Sequence, residues 1–203
     1  MTVIEVFADV ACPFTHVGLR RLVERRAALG RDDVHLLVRA WPLEIVNGKP
    51  LDPAFIYEEV VDIRQQVAPD LFAHYREEAL PSSSMPALAL TAAAYRHSAA
   101  TGERVALRLR ALLFEEGVDI ADPAVLESVA AEHGIAAPFD DVSPVTADHA
   151  EGVVRGVIGS PHFFTGGDGF FCPSLDVTRD AAGALHVKVD STAFEAFVAT
   201  CFA

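Results

Sequence analysis

The spacing of hydrophobic and polar positions changes period several times along the chain, and those changes predict the order of elements. Val3, Ile4, Val6 and Phe7 form a short β-rich run. The chain then turns through Asp9-Val10-Ala11-Cys12-Pro13 into a helical pattern, with Val17, Leu19, Leu22, Val23 and Leu29 as its apolar stripe. Arg20, Arg21, Arg25 and Arg26 fall mostly on the other side, and Gly30 marks the C-terminal stop. Val34 to Trp41 reads as a second strand ended by Pro42, giving a βαβ start that favours a parallel pair with a right-handed crossover.

From about Ala54 to His133 the period is helical, with breaks at Pro69, Pro81, Pro86, Gly102, Gly117 and Pro123, and predicts four or five helices. Asp122-Pro123 reads as an N-cap followed by proline at the first helical position, and Gly134 as a C-terminal cap. A helix over about Thr146 to Arg155 leads into Gly156-Val157-Ile158-Gly159-Ser160-Pro161. His162 to Phe164 and Phe170 to Cys172 then read as strands joined by a tight hairpin at Thr165-Gly166-Gly167-Asp168-Gly169. Leu185 to Val189 is a further short strand, and Thr192 to Phe202 closes the chain as a helix.

The charge balance narrows the function classes. Sixteen basic against 29 acidic residues give a net charge of −13, without the basic stripe that tracks phosphates, so nucleic acid and anionic membrane surfaces are not expected partners. The apolar stretch from Ala79 to Tyr95 is broken by Pro81, Pro86 and three serines, so no transmembrane helix is expected. The opening residues, Met1 to Asp9, lack a secretory pattern, which makes the cytoplasm the expected location. The eight histidines show no ligand spacing with cysteine or carboxylate, and no phosphate-cradling loop follows a strand; no bound metal or nucleotide is implied.

Of the three cysteines, Cys12 stands where a strand ends and a helix begins, with Pro13 at the position where a missing N–H costs nothing. A thiolate there meets free backbone N–H groups and the positive end of the helix dipole, so its pKa is expected to fall below the free value of roughly 8.5. The alternative is a small buried hydrophobe. His16, four residues on, is a candidate imidazolium partner or a solvent-facing residue. Cys172 and Cys201 are expected to pack in the core, with resolution of Cys12 by Cys172 as the sharper alternative.

Phe7-Ala8-Asp9 with Cys12-Pro13-Phe14, then Trp41-Pro42-Leu43, then the segment ending Gly159-Ser160-Pro161, resemble in that order the DsbA-like branch of the thioredoxin fold. That family includes dithiol-disulfide isomerases, 2-hydroxychromene-2-carboxylate isomerases and kappa-class glutathione transferases. The resemblance covers nearly the whole chain. It implies an α/β fold in a single domain over 1–203: a thioredoxin-like core at about 1–50 and 143–203, and a helical insertion after the second strand at about 54–140. It also implies a cis peptide before Pro161 opposite Cys12, with Pro13, Phe14, Trp41, Ser160 and Pro161 bordering the substrate. Dithiol members carry Cys-Pro-x-Cys, whereas this chain has Cys12-Pro13-Phe14-Thr15. The resolving thiol is missing from its usual place, and Thr15 is a candidate hydrogen-bond donor to the Cys12 thiolate.

The leading expectation is therefore a thiol-disulfide oxidoreductase with Cys12, Thr15 and His16 as catalytic candidates and a low-molecular-weight thiol as cosubstrate rather than a bound cofactor. Two alternatives stay open: a glutathione-type transferase or isomerase, in which residue 12 activates a cosubstrate thiol without covalent capture, and a degenerate binding domain with an inert Cys12. A homodimer also remains open.

Overall fold

The computed structural model describes residues 2–202; Met1 and Ala203, the ends of the single domain expected over 1–203, lie outside the described residues. A four-stranded sheet in the order β2-β1-β3-β4 organises the fold. β1 (Thr2–Ala8) runs parallel to β2 (Val34–Ala40) and antiparallel to β3 (His162–Thr165), which pairs antiparallel with β4 (Asp168–Phe171). The β3–β4 connection is a two-residue turn at Gly166 (φ 59°) and Gly167 (φ 91°), left-handed at both positions as a hairpin of this type requires.

Alternation along β1 divides the core. Ile4, Val6 and Ala8 point to one face and pack with Leu19 and Leu22 of α1 (Pro13–Ala28) and Phe197 and Cys201 of α8 (Ser191–Cys201). Phe7 points to the other, where it packs with Trp41 and Val157 beneath α7 (Ser143–Val154). Between β2 and α7 lie α2 (Leu43–Asn47), α3 (Pro53–Gln66), a 3-10 turn at Glu77–Ala79, α4 (Met85–His97), α5 (Ala99–Phe114) and α6 (Pro123–Glu132). These helices supply most of a second core built around Ile63, Leu90, Leu109, Leu113 and Phe114. The architecture is the thioredoxin-like α/β fold with a helical insertion after its second strand.

The insert, together with α7, also closes the sheet edge. Outward backbone groups of β2 would be a template for another strand. Tyr95 Oη donates to Leu36 O and accepts from Val38 N, Glu103 accepts from Leu36 N, and Asp148 accepts from Ala40 N.

Two details depart from the expected elements. Leu175–Arg179 forms an unexpected strand, β5, which pairs with β6 (Leu185–Val189) in a separate two-stranded sheet. β4 ends at Phe171, so Cys172 is not in the returning strand; it sits in a turn at φ 43°, held by its N–H donating to Pro161 O at 3.0 Å.

Candidate active site

Cys12 caps α1 with extended backbone (φ −84°, ψ 116°), and its carbonyl accepts the first helical hydrogen bond, from His16 N. Pro13 fills the first helical position. The Ser160–Pro161 bond is cis, and the Cys12 Sγ–H donates to Ser160 O at 3.2 Å. The Ser160 hydroxyl lies 2.8 Å from Thr15 Oγ1 and accepts from Asp9 N at 2.9 Å. Cys12, Thr15, Ser160 and Pro161 are thus brought together. Phe14 and Ser160 also line a cavity of about 440 Å³ with Phe171 and Cys172.

The turn that presents Cys12 is held by Asp9, which is fully buried. Its Oδ1 accepts from Ala11 N and the Ser84 hydroxyl, and its Oδ2 accepts from Leu43 N. Its carbonyl accepts from Cys12 N and from Nη2 of Arg110, an α5 residue only 1% exposed. One short turn is thereby tied to α2, the start of α4, α5 and the cis-proline segment. Three donors suit an ionised carboxylate, and burial opposes them, pushing the Asp9 pKa up.

Three expectations are corrected. The Cys12 thiol does not fall below its ordinary pKa: at 3% exposure burial pushes it up, and hydrogen bonds from Thr15 and Ser160 oppose that without reversing it. The bond to Ser160 O fits a protonated thiol, since a carbonyl accepts only from S–H. His16 is not an imidazolium beside Cys12. Its Nε2 lies 2.6 Å from Glu115 Oε1 and its ring packs on Phe72 and Phe114; burial lowers its pKa, while that of Glu115 is also lowered, so a neutral ring donates to a carboxylate. Trp41 is a packing residue rather than a substrate contact: it is 5% exposed, tilted over His149 and pressed against Gly152 of α7.

The residues missed were Asp9 as the hub, Ser84, Arg110 and Glu59. Arg110 had a legible signal, since it interrupts the apolar face Ala106-Leu109-Leu113 at helical spacing. Glu59 on α3 is buried and pairs with Arg179 of β5 at 2.6 Å; burial pushes its pKa up to about 7, and its charge raises that of Cys12. Cys172 and Cys201 are buried, and burial pushes each thiol up to about 12.

A helix-capping cysteine set against a cis-proline peptide, on a sheet of this order, defines a thioredoxin-fold thiol site. The sequence matches the DSBA-like thioredoxin domain family over residues 3–182, and the chain belongs to that family. Sequence comparison with curated proteins gives no match. Among solved structures, the chain is similar to the cytosolic disulfide reductase DsbM from Pseudomonas aeruginosa (17% identity, 98% of this chain and 97% of that one, TM-score 0.63). A second structure of DsbM with GSH gives 18% identity, 98% of each chain and a TM-score of 0.62. 2-Hydroxychromene-2-carboxylate isomerase aligns at 14% identity over 83% of this chain and 88% of that one, with a TM-score of 0.60. At these identities the likeness is one of fold.

Proposed function

We propose that the protein is a thiol-disulfide oxidoreductase working through Cys12 alone, with a low-molecular-weight thiol as its second partner. The observation that carries this reading is the Cys12 sulfur against the carbonyl of a cis Ser160–Pro161 peptide, with Thr15 where a dithiol enzyme would hold its resolving cysteine. The Cys12 thiolate attacks a disulfide RS–SR′, forming Cys12–S–S–R and releasing R′S⁻. A thiolate R″S⁻ then attacks the mixed disulfide, giving RS–SR″ and restoring the Cys12 thiolate. Entry of a substrate displaces the Sγ–H···O bond, the thiol proton passes to solvent and thence to the leaving thiolate R′S⁻, and the Thr15 and Ser160 hydroxyls take over as donors to the Cys12 thiolate. The proposed setting is the cytoplasm, where three unbridged cysteines stay reduced; no helix among the described residues is long and apolar enough to cross a membrane.

Intact-mass analysis after incubation with the disulfide of a small thiol tests the reading. One adduct, mapped to Cys12, lost on addition of free thiol and absent in Cys12→Ser, is the expected result. A Cys12–Cys172 disulfide in its place would overturn the monothiol mechanism. Thr15→Cys should add dithiol oxidation.

The burial of Cys12 as a hydrogen-bond-donating thiol favours a second reading, a transferase or isomerase in which Sγ–H donates to the thiolate of a bound cosubstrate and forms no covalent bond. Cys12→Ser then keeps turnover, because serine also donates.

A further inference from the structure

Arg110 is a buried arginine with no direct ion pair; the Asp9 carboxylate is its main counter-charge, acting without a hydrogen bond. Its guanidinium is buried, Nη1 donates to Ala106 O at 2.9 Å, Nη2 donates to Asp9 O at 3.2 Å, and Nε has no partner among the described residues. Both acceptors are carbonyl oxygens, and no carboxylate of the described residues lies within ion-pair distance. A buried cation is costly unless a negative charge faces it. The Asp9 carbonyl that holds Nη2 also accepts the Cys12 N–H at 3.4 Å, which sets the guanidinium behind the turn that carries the thiol.

We propose that Arg110 is a positioning residue for Cys12: it fixes the Asp9–Cys12 turn from the insert side and holds a buried positive charge in reserve for the thiolate that forms there. This rests on the proposed Cys12 chemistry and adds to it the source of the thiolate's support. The Thr15 and Ser160 hydroxyls act on the sulfur itself, whereas Arg110 acts through the Asp9 carbonyl that the Cys12 N–H also donates to.

The other groups in reach are accounted for. Asp9, Cys12 and Tyr95 of α4 each stabilise the Arg110 charge, in that order. His16, neutral and tied to Glu115, is held from protonation partly by Arg110. Facing Cys12 from other elements are Glu59 on α3, which opposes the thiolate, and Cys172, whose pKa of about 12 keeps it a neutral thiol. Arg110 is the buried cation of this set, since Arg179 pairs with Glu59.

The test is the rate of iodoacetamide alkylation against pH, mapped by peptide to each cysteine, in the full-length protein and in Arg110→Gln and Arg110→Lys. Glutamine keeps a donor for the Asp9 carbonyl but no charge, so the Cys12 inflection should rise by about one unit or more, with an approximately tenfold slower rate at pH 7. Lysine should keep the profile near that of the wild type. Cys172 and Cys201 report on loosening: a merely structural defect speeds all three thiols, whereas loss of charge slows Cys12 alone. A wild-type Cys12 profile in the glutamine variant, or equal shifts in both variants, overturns the proposal. Should Arg110→Gln not fold, Asp9→Asn supplies the opposite sign. Removing the competing anion should lower the Cys12 inflection, and a rise would overturn the idea. Alkylation needs no disulfide substrate, so failure of the oxidoreductase reading looks different: a normal alkylation profile with no mixed disulfide.

Discussion

Two arginines near the C-terminal ends of β1 and β2 are handled in opposite ways. Arg39 on β2 meets carboxylates directly: Asp148 and Glu151 of α7 and, more distantly, Glu5 of β1, which also pairs with Arg155. These side chains are between 18% and 43% exposed. Arg110 meets only carbonyls and is shut away from water. The half-exposed network is satisfied at rest and serves to lay α7 on the sheet, at little cost in desolvation. The buried site carries charge that the resting fold leaves incompletely answered, which is the condition expected where a reaction brings its own charge.

The contrast can be broken in four ways. Asp9→Ala should have the largest effect, about 3–5 kcal/mol in urea unfolding, because it strips three hydrogen bonds from the Cys12 turn and the main counter-charge from Arg110. A loss under 1 kcal/mol would mean that the buried hub does not hold the turn. Gly152→Ala comes next. A Cβ there would lie 2.6 Å from the Trp41 ring, so the variant should lose about 1–3 kcal/mol by overpacking, while Cys12 alkylation stays unchanged.

The third is a pH dependence. Burial raises Glu59 from 4.5 to about 7, so the folded state binds its proton more tightly than the unfolded chain does. Its contribution is fully present below pH 4.5 and is lost as pH rises toward 7. Stability of the wild type minus that of Glu59→Gln should therefore fall between pH 4.5 and 7 and level off above; a difference that rises with pH would show the Arg179 pair outweighing burial. The smallest effect is expected from Arg39→Ala, about 1 kcal/mol or less and smaller still in high salt, since exposed pairs are screened. A cost equal to that of Asp9→Ala would erase the distinction between the two clusters.

How far the sequence was legible follows the range of the forces. α1 was readable because Pro13 and Gly30 punctuate it, and the cis Ser160–Pro161 peptide was reachable through the resemblance around Cys12. The hairpin turn was written in Gly166-Gly167. α7 begins at Ser143, earlier than the expected Thr146, because Pro144 starts a helix as readily as it ends one. β5 was missed because only Leu175 of its five residues is buried, which leaves little apolar alternation to find. His16 was assigned to the site by its four-residue spacing from Cys12 and Trp41 by the resemblance, whereas α5 and α7 claim their rings for packing.

By itself, then, the sequence determined the local part of this protein: the type and order of most of its strands and helices, which thiol caps a helix, and that Thr15 stands in place of a second cysteine. The tertiary structure alone decided the charge state of that thiol's surroundings. Burial of Cys12, the carbonyl of Ser160, the carboxylates of Asp9 and Glu59 and the cation of Arg110 come from segments up to 148 residues away. Desolvation and Coulomb energies depend on what is packed around a group rather than on its chain neighbours, so they take their values only when the insert closes over the core.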